Sequence, residues 1–410
     1  MKKIVMSTVA LTVLMGSFTA VSAAENGVSI FSDVKFKGEI RPRYEYADVK
    51  DNGKDAANAF TARTHLTVSA GLLEVEGLSA TVGIQSVNNF GSDPYNSTSN
   101  GETSYDVIAD PQQAMLSEAS IDYSVGKTAI HAGRSQVNLD NQRFIGTVGW
   151  RQTERSYDTV YVANSDIKDL NLLAAFVYGY AGVKGVTTTD TSSVLLHANY
   201  KVMNELSITA YDYMLASIHD TMGVALTGKV DMGAKLSYRL EYAMQSDATM
   251  EYKSVPSKAD ATYMNVDVGA NFSGILAGVN YEILSGADTG GKTAFSTPLA
   301  TAHKFNGWAD IFLKTPTGGL QDMNVRAGYK AKGFGKLLGV YHMYTADTAM
   351  ATSTGTGDDL GSEIDVVYVN SVPGFTGLKG LVKFAAYSAG TVTGFTADKQ
   401  VAWVQLDYKF

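Results

Sequence analysis

Along most of this chain, hydrophobic and polar residues exchange places at every step. In the final stretch Ala402, Val404, Leu406, Tyr408 and Phe410 share one face, and Trp403, Gln405, Asp407 and Lys409 share the other. Near the start, Phe36, Gly38, Ile40, Pro42, Tyr44 and Tyr46 alternate with Lys35, Lys37, Glu39, Arg41, Arg43 and Glu45. A period of two marks a β-strand with unlike faces. A fully charged face cannot enter a soluble core, but it suits a strand with lipid on one side and water on the other. The stretches through Leu236, Tyr238, Leu240 and Tyr242 and through Met264, Val266, Val268 and Ala270 repeat the pattern, with Ser237, Arg239, Glu241, Asn265 and Asp267 on the opposite faces.

Segments of this kind begin near residues 34, 59, 78, 114, 128, 156, 169, 192, 205, 221, 234, 261, 275, 319, 337, 361, 378 and 401. Each runs for about 10 residues, the span of a tilted transmembrane strand. Gly126-Lys127, Met203-Asn204, Gly233 and Ser273-Gly274 mark tight turns, and long polar links lie between them at 91–111, 182–191, 247–260 and 286–318. Short periplasmic turns alternating with long outer loops are the outer-membrane arrangement. The pattern therefore predicts an all-β fold, a transmembrane antiparallel β-barrel of 18 strands. The segments near 128, 205 and 221 alternate poorly, and Asp212 falls in phase with Leu206, Ile208 and Ala210. Losing one hairpin there would give 16 strands.

Lipid cannot bond a free strand edge, so the sheet must close. With this many strands the lumen admits water unless loops fold into it, and 138–155 and 286–318 are the loops expected to do so. The 23 tyrosines suit either interfacial girdles or ordinary strand preference.

The N-terminus changes the picture of where the chain works. Lys2 and Lys3 precede an apolar run from Ile4 to Phe18, followed by Val21-Ser22-Ala23. This reads as a signal peptide over 1–23, leaving 24–410 as the barrel, exported to the Gram-negative outer membrane. Losing the two lysines takes the formal charge from −8 to −10, a poor balance for binding nucleic acid. The chain has no cysteine, which excludes disulfides and thiolate metal sites. Its six histidines, His65, His131, His197, His219, His303 and His342, are scattered. No Gly-x-Ser-x-Gly or His-Glu-x-x-His constellation accompanies them, so no enzymatic role, cofactor or metal is expected. The expected surroundings are the lipid bilayer and lipopolysaccharide.

Two segments carry a family resemblance. The first, 133–152, contains Gly133-Arg134, Asn138, Asp140-Asn141, Arg143-Phe144-Ile145-Gly146 and Gly149-Trp150-Arg151-Gln152; the second, 297–310, contains Thr297-Pro298-Leu299, His303-Lys304-Phe305-Asn306-Gly307-Trp308 and Asp310. Both resemble segments of the alginate-export family of outer-membrane channels. The resemblance implies an 18-stranded barrel, monomeric, with inward loops and an arginine-rich constriction that favours polyuronates. On that resemblance Arg134, Arg143 and Arg151 would line the constriction, with Asp140 and Glu154 as partners. The chain's terminal Phe410 likewise resembles the signature read by the barrel assembly machinery.

Arginine keeps its charge and grips carboxylates bidentately. Arg41, Arg43, Arg63, Arg134, Arg143, Arg151 and Arg326 would thus form a ladder for an anionic oligosaccharide. The same lumen carries Glu39, Glu118, Asp122, Glu241, Asp267, Glu282, Asp322 and Asp365. With Arg239 and Asp140 these are the other pore-lining candidates. Their acid-rich balance favours a porin for small hydrophilic solutes over a dedicated anion conduit.

Overall fold

The computed structural model describes residues 30–185, 187–253, 258–287 and 292–410. The expected leader lies outside them. The strands are β1 (Phe31–Val49), β2 (Ala57–Leu72), β3 (Leu78–Asn88), β4 (Gln113–Val125), β5 (Thr128–Ser135), β6 (Ser156–Asn164), β7 (Leu170–Ala181), β8 (Thr188–Met203) and β9 (Leu206–Leu215). They continue as β10 (His219–Asp231), β11 (Lys235–Ser246), β12 (Asp260–Phe272), β13 (Ile275–Leu284), β14 (Leu320–Ala331), β15 (Gly335–Thr352), β16 (Gly355–Ser371), β17 (Leu378–Ser388) and β18 (Lys399–Lys409). Each pairs antiparallel with its neighbours in sequence, and β1 pairs with β18, closing one 18-stranded sheet. The 16-stranded alternative is therefore excluded.

At the seam, the Gly38 amide donates to the Phe410 carbonyl at 2.8 Å and the Phe410 amide donates back at 3.0 Å. The Phe410 ring lies where a side chain at 38 would stand: an added Cβ would meet it at 2.2 Å. Glycine at 38 therefore lets the last ring cover the first strand.

The connections at one end of the barrel are short, among them 126–127, 204–205, 232–234 and 273–274. The long ones, 89–112, 136–155 and 285–319, lie at the other end. Not every outer link is long: β15 and β16 run on for 18 and 17 residues and turn at 353–354. These hairpins extend well past the roughly 10 residues that a membrane requires.

Alternation sorts the side chains as the sequence pattern requires. Leu240 (41% exposed) and Val266 (36%) face outward and sit opposite each other across β11 and β12. Arg41, Arg43 and Glu45 face inward and are buried. Asp212 shares the outer face of β9 with Ala210, between inward Tyr211 and Tyr213.

The tyrosines divide into two sets. Tyr44, Tyr200, Tyr242, Tyr329, Tyr341 and Tyr408 are exposed on the outside, whereas Tyr211, Tyr213, Tyr263, Tyr344 and Tyr387 point inward and are buried. The inward set packs on loop aromatics: Phe144 lies 5.2 Å from Tyr211 and 5.4 Å from Tyr263, and Phe312 lies 4.6 Å from Tyr344. The lumen is therefore not wet throughout, because an aromatic core fills part of it.

Replacing Leu240 or Val266 by arginine puts a charge on the hydrocarbon face and should cost about 2–4 kcal/mol near the midplane. Ser237→Arg, on the inner face, should be mild. Denaturant unfolding of the barrel in vesicles checks both; equal tolerance at the two faces would contradict the register.

Candidate functional site

Two outer loops turn back into the barrel and are fastened to its inner wall. The first is 136–155. Arg41 from β1 donates to the carbonyl oxygens of Gly149 and Arg151, both at 2.9 Å. Arg43, two residues on and therefore on the same face, donates to the Trp150 carbonyl at 2.6 Å and to Gln405 of β18 at 2.7 Å. Arg63 of β2 meets Glu154 at 2.5 Å. Arg151 reaches back from the loop to Glu45 at 3.1 Å and across to Asp310 at 3.2 Å. Gln152 donates to the Thr61 hydroxyl at 2.9 Å, and its amide donates to Asp110 at 2.7 Å.

The second loop is held by a complementary acidic wall. The Trp308 amide donates to Asp365 at 3.1 Å and the Ala309 amide to Glu363 at 2.7 Å. Asn306 donates to Glu282 at 2.6 Å, and Arg143 of the first loop donates to the same carboxylate at 3.0 Å. His342 stands at 2.9 Å from Asp322. Gly307, at φ +86°, passes so close to Tyr344 and Glu363 that an added Cβ would clash with both.

All three tryptophans of the chain meet where the loops cross. Trp150 and Trp308 each lie 4.0 Å from the Lys383 ammonium, and Trp403 lies 5.1 Å away. His303 stacks on Trp150 at 4.6 Å. Its Nδ1 donates to Asp310 at 2.7 Å, and its Nε2 accepts from Lys383 at 2.6 Å. A cation over aromatic faces in a desolvated site is held by the ring quadrupoles. Burial, with the Lys383 cation beside it, outweighs Asp310 and pushes the imidazole down to about 3.

The sequence candidates fall into separate places. Arg41, Arg43, Arg63, Arg143 and Arg151 gather at the loop clamps. Arg134 does not: it lies on the side of β5 shared with exposed Ile130 and Ala132, opposite the inward His131, and is bidentate to Asp158 at 2.6 and 2.7 Å. Strict alternation from His131 puts it there, so its expected place in the constriction is corrected. Asp140 pairs with His197 at 3.1 Å, and Glu118 lies 3.2 Å from His65. Arg239 pairs with Glu241 within β11 at 2.7 Å. Arg326 crosses β13 over Gly278 to reach Asp267 at 2.6 Å, a path that any side chain at 278 would block. Sequence reasoning missed Lys383, Gln405, Asp110 and the tryptophan cluster. The rarity of tryptophan, with two of the three inside the quoted segments, was the available signal.

No family model matches the chain, and no curated relative does. Solved structures do. OpdO of Pseudomonas aeruginosa superposes with a TM-score of 0.71 over 93% of this chain and 98% of its own, at 13% identity. OccAB2 of Acinetobacter baumannii gives 0.71 over 93% and 99%, at 15% identity. OpdK of Pseudomonas aeruginosa, solved with vanillate, gives 0.68 over 93% and 99%, at 14%. The chain has their 18-stranded porin fold. These structural neighbours are Occ and Opd porins, and the comparison gives no support to the alginate-export resemblance.

Two outcomes follow from the clamps. Removing Arg143 leaves Glu282 buried without its cation, so Arg143→Ala should cost about 3–5 kcal/mol, measured by unfolding of the refolded barrel. His303 titrates near 6.5 when unfolded and near 3 in place. The unfolded state therefore binds more protons between those values, and the cluster weakens as pH falls through that window. Denaturant unfolding followed by tryptophan emission, which reads this cluster alone, should show lower stability at pH 4 than at pH 7. His303→Phe, which keeps the stack but cannot be protonated, should flatten that difference.

Proposed function

We propose that the chain is a porin-type channel that lets small hydrophilic solutes diffuse across the Gram-negative outer membrane. In this reading it arrives there after losing its leader, with Phe410 read by the assembly machinery. It is no enzyme and needs no cofactor. The observation that carries the reading is the closed barrel with an inner wall of charged residues, narrowed by two loops that this wall holds in place. Vanillate belongs to the OpdK structure; for this chain the solute class is small and polar.

The reading of a dedicated conduit for an anionic saccharide has a specific observation against it. Each arginine of the expected ladder already has a carboxylate or carbonyl partner: Arg41, Arg43, Arg63 and Arg151 at the first clamp, Arg143 on Glu282, Arg134 on Asp158 and Arg326 on Asp267. A polyuronate in the lumen would have to displace these partners, except that of Arg134, which lies on the outer side of β5. With cations and acids interleaved, the field along the passage is nearly balanced, and selectivity should be weak.

Single-channel recording of the refolded barrel in a salt gradient tests this. Steady current of weak ion selectivity, unaffected by oligouronate, is expected. Anion-selective current blocked by oligouronate would restore the conduit, and a permanently silent barrel would end the channel reading.

A further inference from the structure

The inner faces of β6, β7 and β8 depart from the rest of the lumen. Where other strands present charge, Ala163, Leu173, Ala175, Val177 and Leu195 present hydrocarbon. Some of this surface is covered by Val137 and Leu139 of the first inward loop, which pack against the interior core. The cover is incomplete. Between loop and wall lies a cavity of about 260 Å³.

Its polar groups are few and mostly engaged. The Thr159 hydroxyl donates to the Phe176 carbonyl at 2.9 Å. The Gln136 amide donates to Glu154 at 2.6 Å. Tyr161 stacks on His131 at 4.5 Å. The Asn138 amide nitrogen and the Tyr161 hydroxyl are the exceptions among the described residues. Asn138 Oδ1 accepts from the Thr147 amide at 3.0 Å, which turns the Nδ2 donor away from that bond, and the residue is exposed at the rim. No lysine or arginine lines the cavity. The acids beside its lining residues are all paired: Glu154 with Arg63, Asp158 with Arg134, Asp122 with His131 and Asp140 with His197.

We propose that this cavity is a docking subsite for a small, uncharged cyclic solute: one aromatic or saturated ring carrying a hydrogen-bond acceptor. The inference rests on the channel reading for how the solute reaches it. An apolar cavity of 150 Å³ already admits benzene, so this one takes a ring and a short substituent. Water in it finds few partners, and an apolar group that displaces poorly held water gains affinity. The Asn138 amide would donate to the acceptor. A carboxylate would enter without a cation to meet it and would lose its hydration. The subsite thus selects against the anions that an arginine ladder would favour.

The probe is 4-fluorobenzamide, with 4-fluorobenzoate as the charged counterpart. Fluorine NMR of each is recorded with the refolded full chain in detergent micelles, beside the variant Ala163→Phe, which fills the cavity. Subtracting the variant removes uptake by the micelle. Saturable broadening of the amide by the parent chain, weakened about tenfold or more in the variant and much smaller for the benzoate, is expected. Equal broadening by parent and variant, or a preference for the benzoate, would overturn the proposal. If Ala163→Phe does not fold, Leu173→Asn keeps the space but makes its wall polar and should weaken binding in the same direction. None of these readouts requires ion flow, so a silent barrel in the bilayer would remove the channel reading while the binding result still decides the subsite.

Discussion

Everything in this molecule follows from the need to satisfy backbone hydrogen bonds where lipid offers none. An edge strand in hydrocarbon would leave a row of amides and carbonyls unpaired, at several kcal/mol each. The chain escapes by pairing β1 with β18, from Glu39 opposite Lys409 to Val49 opposite Lys399. Closure then creates a second problem. A ring of 18 strands encloses more space than its own inward side chains can fill, and the protein fills it with its own loops.

Charge holds those loops. Arg43 and Arg63 are among the most deeply buried side chains in the barrel, and taking a guanidinium out of water is expensive unless its donors are met. Most are met: Arg43 bonds the Trp150 carbonyl and Gln405, and Arg63 bonds Glu154 and His65. Arg43 Nη1 and Arg63 Nε have only charge neighbours, Glu45 and Asp110 at 3.6 Å and Glu39 at 3.7 Å. Such pairs add little net stability, but breaking one is costly. They therefore fix where the loop lies rather than how tightly the barrel folds. The acidic wall of Glu282, Asp322, Glu363 and Asp365 does the same for the second loop, presenting acceptors to backbone amides and to Asn306. At the crossing, Lys383 sits among three indoles with His303 as its acceptor, so both loops share one cation.

The barrel was legible in the sequence because a strand between lipid and water must alternate. All 18 strands begin within six residues of the positions expected from alternation, and Leu78, Thr128, Ser156, Ile275 and Leu378 coincide with them. Even the phase of Asp212 with the apolar outer face of β9 was visible. The interior was less legible. Arg41 and Gly149 lie 108 positions apart, and no local period connects them. The sequence marks Arg41 as inward but says nothing of the loop that will cover it. Arg134 stands three positions after the inward His131 and so turns outward, a phase hidden by the 133–152 segment, which runs across the end of β5 into the loop. The inward tyrosines look no different in sequence from girdle tyrosines; only the loop aromatics packed on them set them apart.

A channel requires a passage beside the two clamped loops, and because the chain has no native cysteine that passage can be probed directly. Single cysteines would replace Asn138 and Lys304, which are exposed on the loops, and Phe312, which is buried in the core. A membrane-impermeant thiol reagent would then be added while single-channel current is recorded. Stepwise changes in current are expected at positions 138 and 304 and none at 312. Steady current unaltered by modification at both exposed positions would mean that ions do not pass beside the clamped loops.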